Sequence, residues 1–134
     1  MEIPGLHMLQ SPELEAHFSP EAWNRLQAFD WIAFGREDFQ VLFVHLDSGV
    51  WEGHWKGTEA RTSFKFCRKA LLALEEQDPG CEVRGVTPCE NKRALKMAKL
   101  LGFKPLGFKI DNDGKVSLCS VWKGDRNGKC SQCC

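Results

Sequence analysis

Glu52 and His54 stand two residues apart in Val50-Trp51-Glu52-Gly53-His54-Trp55. In an extended strand, residues i and i+2 share a face, so a carboxylate and an imidazole would lie side by side. Both groups can take a proton from a nucleophile, which makes Glu52 and His54 the candidate catalytic bases. The same alternation leaves a second arrangement open, in which Trp51 and Trp55 pack inside and the pair lines a solvent face. Cys89 precedes the helix start at Asn91, where a helix N-terminus can lower a thiol's pKa; packed as a small turn residue it would be inert. Cys130, Cys133 and Cys134 have a metal-like spacing. A structural zinc site wants four ligands, and no partner pair accompanies them, so they read as a loose thiol tail with no metal.

The elements that must position these groups follow from periodicity. Ser19-Pro20-Glu21 supplies a serine cap, a proline at the first helical position and an acid at the positive dipole end. With Ala22, Trp23, Leu26 and Phe29 on one face, it predicts a helix over residues 20–29. Residues 31–34, 40–44 and 50–55 are rich in β-branched and aromatic side chains and are separated by short turns, which makes them an antiparallel meander. Phe64, Cys67, Ala70, Leu71 and Leu74 then recur at helical spacing over residues 60–77, and Asp78-Pro79-Gly80 ends that helix. A strand at residues 82–86 leads to a second helix with the buried stripe Ala94, Met97, Ala98 and Leu101. Residues 104–110 and 115–122 form a hairpin around Asp111-Asn112-Asp113-Gly114. The order places a strand–helix–strand crossover inside a mostly antiparallel sheet, a mixed α/β (α+β) architecture.

The chain has 134 residues, enough for one core, and reads as a peripheral segment (1–18), one domain (19–122) and a flexible Cys-containing tail (123–134). Hydrophobic content of 43% with 27% charged residues is that of an ordinary globular protein. A formal net charge of zero argues against a nucleic-acid partner, and no apolar run reaches the ~20 residues that span a bilayer. Without a basic, then apolar, leader at the N-terminus, and with seven cysteines, an odd number, the expected compartment is the cytoplasm with reduced thiols.

The run from Cys81 to Phe108 carries the most specific signal. Asn91 opens a helix, Ala94 follows three residues later, and Leu101-Gly102-Phe103 closes it before a new strand. With the element order, this resembles the closing motif of the GCN5-related N-acetyltransferase superfamily. The likeness in element order spans residues 19–122, and the motif itself residues 91–103. Two positions depart: Ala98 stands where the family has a tyrosine and Leu100 where it has a lysine, and the chain has no tyrosine at all.

The resemblance implies an acetyl-CoA-dependent transfer to an amine acceptor of unknown identity. It implies that acetyl-CoA lies where two parallel strands splay, here residues 50–55 and 82–86, with its pyrophosphate on free amides at the following helix start. Those amides and cations would be Lys56, Gly57, Thr58, Ala60 and Arg61, with Asn91 opening the helix beyond the second strand. The loop holds one glycine and carries Glu59, whose charge repels a diphosphate, so a plain strand-to-helix turn is the competing reading. The alternative function is a catalytically silent protein of the same fold that associates with itself or with tailed-phage virion or assembly proteins. In that case the host cytoplasm or the virion would be its location.

Overall fold

The computed structural model describes residues 7–36, 39–57 and 60–124. The elements, in chain order, are β1 (His7–Met8), α1 (Ser11–Glu15), α2 (Pro20–Leu26), β2 (Trp31–Arg36), β3 (Phe39–Asp47), β4 (Val50–Gly57), α3 (Ala60–Gln77), β5 (Glu82–Pro88), α4 (Lys92–Leu101), β6 (Lys104–Ile110) and β7 (Val116–Lys123). They build one seven-stranded sheet in the order β1-β2-β3-β4-β5-β7-β6. Every neighbouring pair is antiparallel except β4 and β5, which α3 joins as the crossover that a parallel pair requires.

Local chemistry sets most of the boundaries. The Ser19 hydroxyl accepts from the Ala22 amide at 3.2 Å and Asn91 Oδ1 from the Ala94 amide at 3.1 Å, so both expected caps start their helices. Gly102 ends α4 with φ of 101°, a left-handed conformation that a residue with a Cβ adopts only under strain. In the β6–β7 turn, Asp111 Oδ1 accepts from the amides of Asp113 and Lys115, each at 2.9 Å.

Three expectations need adjustment. The helix expected over residues 20–29 ends at Leu26, because the Ala28 and Phe29 amides tighten onto the carbonyls of Arg25 and Leu26 to turn the chain into β2. β2 and β3 run past their apolar stretches, since pairing continues to Arg36 opposite Phe39 and ladder bonds, rather than side-chain pattern, hold the ends. Within the expected peripheral segment, His7 and Met8 pair with Gly35 and Phe34 as an edge strand. Leu9 and Leu14 there are buried, and a Cβ on Gly35 would stand 2.8 Å from Leu9 Cδ1.

Two apolar clusters hold the sheet, one on each face. On the α3/α4 face, Phe34, Phe39, Val41 and Phe43 meet Phe66, Cys67, Ala70, Leu71 and Leu74 of α3 and Ala98 and Leu101 of α4. Phe34 and Phe43 pack edge to face with ring centroids 6.4 Å apart. On the other face a smaller cluster of Leu9, Leu14, Leu26, Ala33, Leu42 and Val44 is roofed by α1 and α2, with Phe18, Trp23 and Trp31 at its margin. No described helix is long and apolar enough to cross a membrane.

Candidate active site

β4 and β5 run together for three rungs, Val50 with Glu82, Trp51 with Val83 and Glu52 with Arg84, and then part. Beyond Glu52, β4 keeps its antiparallel partner β3 as far as Gly57, while β5 keeps β7 as far as Pro88. The two strands become the arms of a fork whose inner edges carry backbone N–H and C=O groups with no strand partner among the described residues. One arm ends at Gly57 before α3; the other ends at Pro88, three residues before Asn91.

The root of the fork is packed by alternation along β4. Trp51 is buried and donates its indole N–H to Asp78 Oδ2 at 2.8 Å, tying β4 to the turn after α3. Gly53 comes next on that face, where a Cβ would lie 3.0 Å from Val83 Cγ1. Trp55 follows, its ring 6.2 Å from that of Phe103 just past α4. Phe103 in turn lies against Gly85 on the other arm, 3.6 Å from where a Cβ would be. The two rings thus wall the fork on its α3/α4 side.

Glu52, His54 and Lys56 occupy the opposite face, and the first two meet: His54 Nε2 lies 2.7 Å from Glu52 Oε1. An ionised carboxylate can only accept, so Nε2 donates to it, and when the ring is neutral Nδ1 is the nitrogen left with a lone pair. The pair joins the last rung, at Glu52, to the second residue beyond it, His54. The His54 and Glu52 side chains keep 56% and 36% of their exposure, enough for a ligand to reach them. The face is not bare, however. α1 and α2 arch over it to leave a groove of about 570 Å³ in which Glu52, His54 and Lys56 are part of the lining. Trp51 packs inside, as the second arrangement has it, and the pair lies on the other face, along the groove. Sequence reasoning missed the opposite wall, including Arg25, Phe18 and Phe29, since only packing of the helices over β4 brings them near.

The remaining expected site residues sit around the arms. Lys56 is exposed on β4, and Gly57 is its last residue. Ala60 and Arg61 open α3, but their side chains, like Thr58 as a whole, lie outside the described residues. Asn91 is exposed and caps α4 through its carbonyl oxygen. Ala98 is buried in the larger cluster. Cys89 is half-buried in the turn before α4, its amide donating to the Val116 carbonyl at 2.9 Å. Burial pushes the thiols of Cys67 and Cys81 up to about 12; for Cys81 the charges of Asp78 and Glu75 add to the effect. These two are inert core residues. The described residues hold no cluster of metal-ligating side chains, and the Cys130–Cys134 stretch lies outside them.

A mixed sheet whose single parallel pair forks beside a crossover helix defines an acyl-CoA N-acyltransferase architecture. Solved structures bear this out. A chimera of the spermidine N-acetyltransferase SpeG from Vibrio cholerae and hSSAT matches with a TM-score of 0.61, 12% identity, and coverage of 88% of this chain and 95% of that one. A ribosomal-protein alanine N-acetyltransferase from Escherichia coli matches with a TM-score of 0.66, 11% identity, and coverage of 92% and 96%. A domain from Methanocaldococcus jannaschii matches with a TM-score of 0.67, 11% identity, and coverage of 88% and 96%. No family model and no curated protein matches the sequence. The fold is therefore that of the GCN5-related N-acetyltransferases, as the motif at residues 91–103 implied.

Proposed function

We propose that this protein transfers an acetyl group from acetyl-CoA to an amine. The observation that carries the reading is the Glu52–His54 pair set where β4 leaves β5. The free inner edge of β4 past Glu52 fits an extended pantetheine, which can pair with it as an added strand would. Lys56 and Lys65 are exposed cations near the start of α3, and Gly57, Thr58, Ala60 and Arg61 are the residues that would meet a pyrophosphate there. Asn91 would border the arm of β5. Acetyl-CoA, when bound, supplies the acetyl thioester. The protein's part is to hold the amine over β4 and to take one of its protons at His54 Nδ1. Glu52 fixes the ring and balances the charge that it gains. With Ala98 in the core, α4 brings no acid from that position to the fork; a thiolate is a fair leaving group without one. Calorimetric titration with acetyl-CoA tests the reading: one site per chain is expected, and no heat at millimolar ligand would overturn it.

A second reading, a non-catalytic binding protein of the same fold, is favoured by the β6–β7 hairpin. Phe108 and Ile110 there are 72% and 69% exposed on an edge strand. Self-association, or attachment to a virion or assembly protein of a tailed phage, would cover them. This reading requires that the chain purify as an oligomer or be captured by such a partner while acetyl-CoA leaves it unchanged.

A further inference from the structure

We infer that the groove over β4 selects a monoamine with an apolar, ring-sized body and one anionic group, rather than a polyamine. The inference rests on the acetyl-transfer reading for the reaction, but the selection is made by the groove itself. Its wall is apolar where the acceptor's body would lie: Leu14, Phe18 and Phe29 from the helical side face Leu42 and Val44 of β3. Phe29 is 47% exposed, a large apolar ring left uncovered at the groove. A volume of about 570 Å³ accommodates one ring-sized body with room for water.

The charges point the same way. Glu52 is the single carboxylate among the described lining residues, and His54 already engages it. Arg25 and Lys56 also line the groove, and among the described residues neither side chain has an ion pair or hydrogen bond. Lys56 stands on the same face as His54, two residues further along β4, about 7 Å away by strand rise. A second or third ammonium group would thus meet two unpaired cations and no free carboxylate. A carboxylate on the acceptor would be attracted by both, while the amine sits at the Glu52–His54 end.

The test compares phenylalanine, phenethylamine and spermidine, first by binding to the full chain without acetyl-CoA and then as acceptors with it. Phenylalanine should bind best, phenethylamine roughly three- to tenfold more weakly, as expected for losing contacts with two exposed cations, and spermidine weakest. The double variant Arg25→Glu/Lys56→Glu should reverse that order and Arg25→Gln/Lys56→Gln should level it, both read as binding without acetyl-CoA because Lys56 also borders the proposed pyrophosphate site. Both positions are exposed, so neither variant threatens folding. Spermidine binding best, an unchanged order in the charge-reversed variant, or acetylation of amines that excludes phenylalanine would overturn the inference and leave the transfer reading standing. Phenylalanine binding in the expected order without any acetylation would uphold the groove's selectivity and remove the transfer reading instead.

Discussion

The two faces of the sheet are built to different ends, and β4 shows the contrast within one strand. Toward α3 and α4 it presents Trp51, Gly53 and Trp55 to a closed aromatic cluster in which Phe34, Phe39 and Phe43 are each 1% exposed. Toward α1 and α2 it presents Glu52, His54 and Lys56 to a groove whose apolar lining is only partly covered. The first face fixes where the strand lies, and the second leaves ionisable groups reachable. An 18-residue helix covers the first; two helices of five and seven residues cover the second. Short helices contribute little apolar stripe, so the described residues leave the groove open.

Substitutions should separate the faces sharply. Phe34→Ala removes a fully buried ring and should cost about 3–5 kcal/mol in a denaturant melt. Asp78→Ala leaves the buried Trp51 indole N–H unpaired and should cost about 1–3 kcal/mol, by loosening the root of the fork. Alkali should act on the closed face through Cys67 and Cys81. The native thiols titrate near 12 whereas the ordinary value is 9.0, so the unfolded chain loses protons first. Stability is full below pH 9 and falls as pH rises through that window; Cys67→Ala should flatten the slope. On the open face, Phe29→Ala should change stability by under about 0.5 kcal/mol while weakening an apolar acceptor, a dissociation that comparing melts with acceptor KM would reveal. Equal losses at Phe34 and Phe29 would erase the distinction between the faces.

The same contrast explains what was legible in the sequence. The closed face announces itself: the stripe Phe64, Cys67, Ala70, Leu71 and Leu74 repeats with the helical period, and its members are buried or half-buried in α3. Asn91 and Gly102 mark the two ends of α4 because a cap oxygen and a left-handed φ each demand a particular residue. The spacing of Glu52 and His54 was enough to place them on one face and in reach of each other. It could not say which surface they would find, since that depends on Phe18, Arg25 and Phe29, which lie more than twenty residues away and obey no shared period. β1 escaped notice for a simpler reason: two residues are too few to alternate. The fork was legible only through the resemblance, because the point at which β4 and β5 stop pairing leaves no mark on residue type.

The proposed proton transfer on the open face of β4, beside the fork, stands or falls at His54. With acetyl-CoA saturating and an acetylated amine in hand, His54→Ala should lower kcat by roughly 10²–10⁴-fold, the range expected for loss of a positioned base. Affinity for acetyl-CoA and the melting temperature should hold, since the side chain is exposed and lies across the sheet from the closed core. Turnover by His54→Ala within a few-fold of the parent chain would contradict the account.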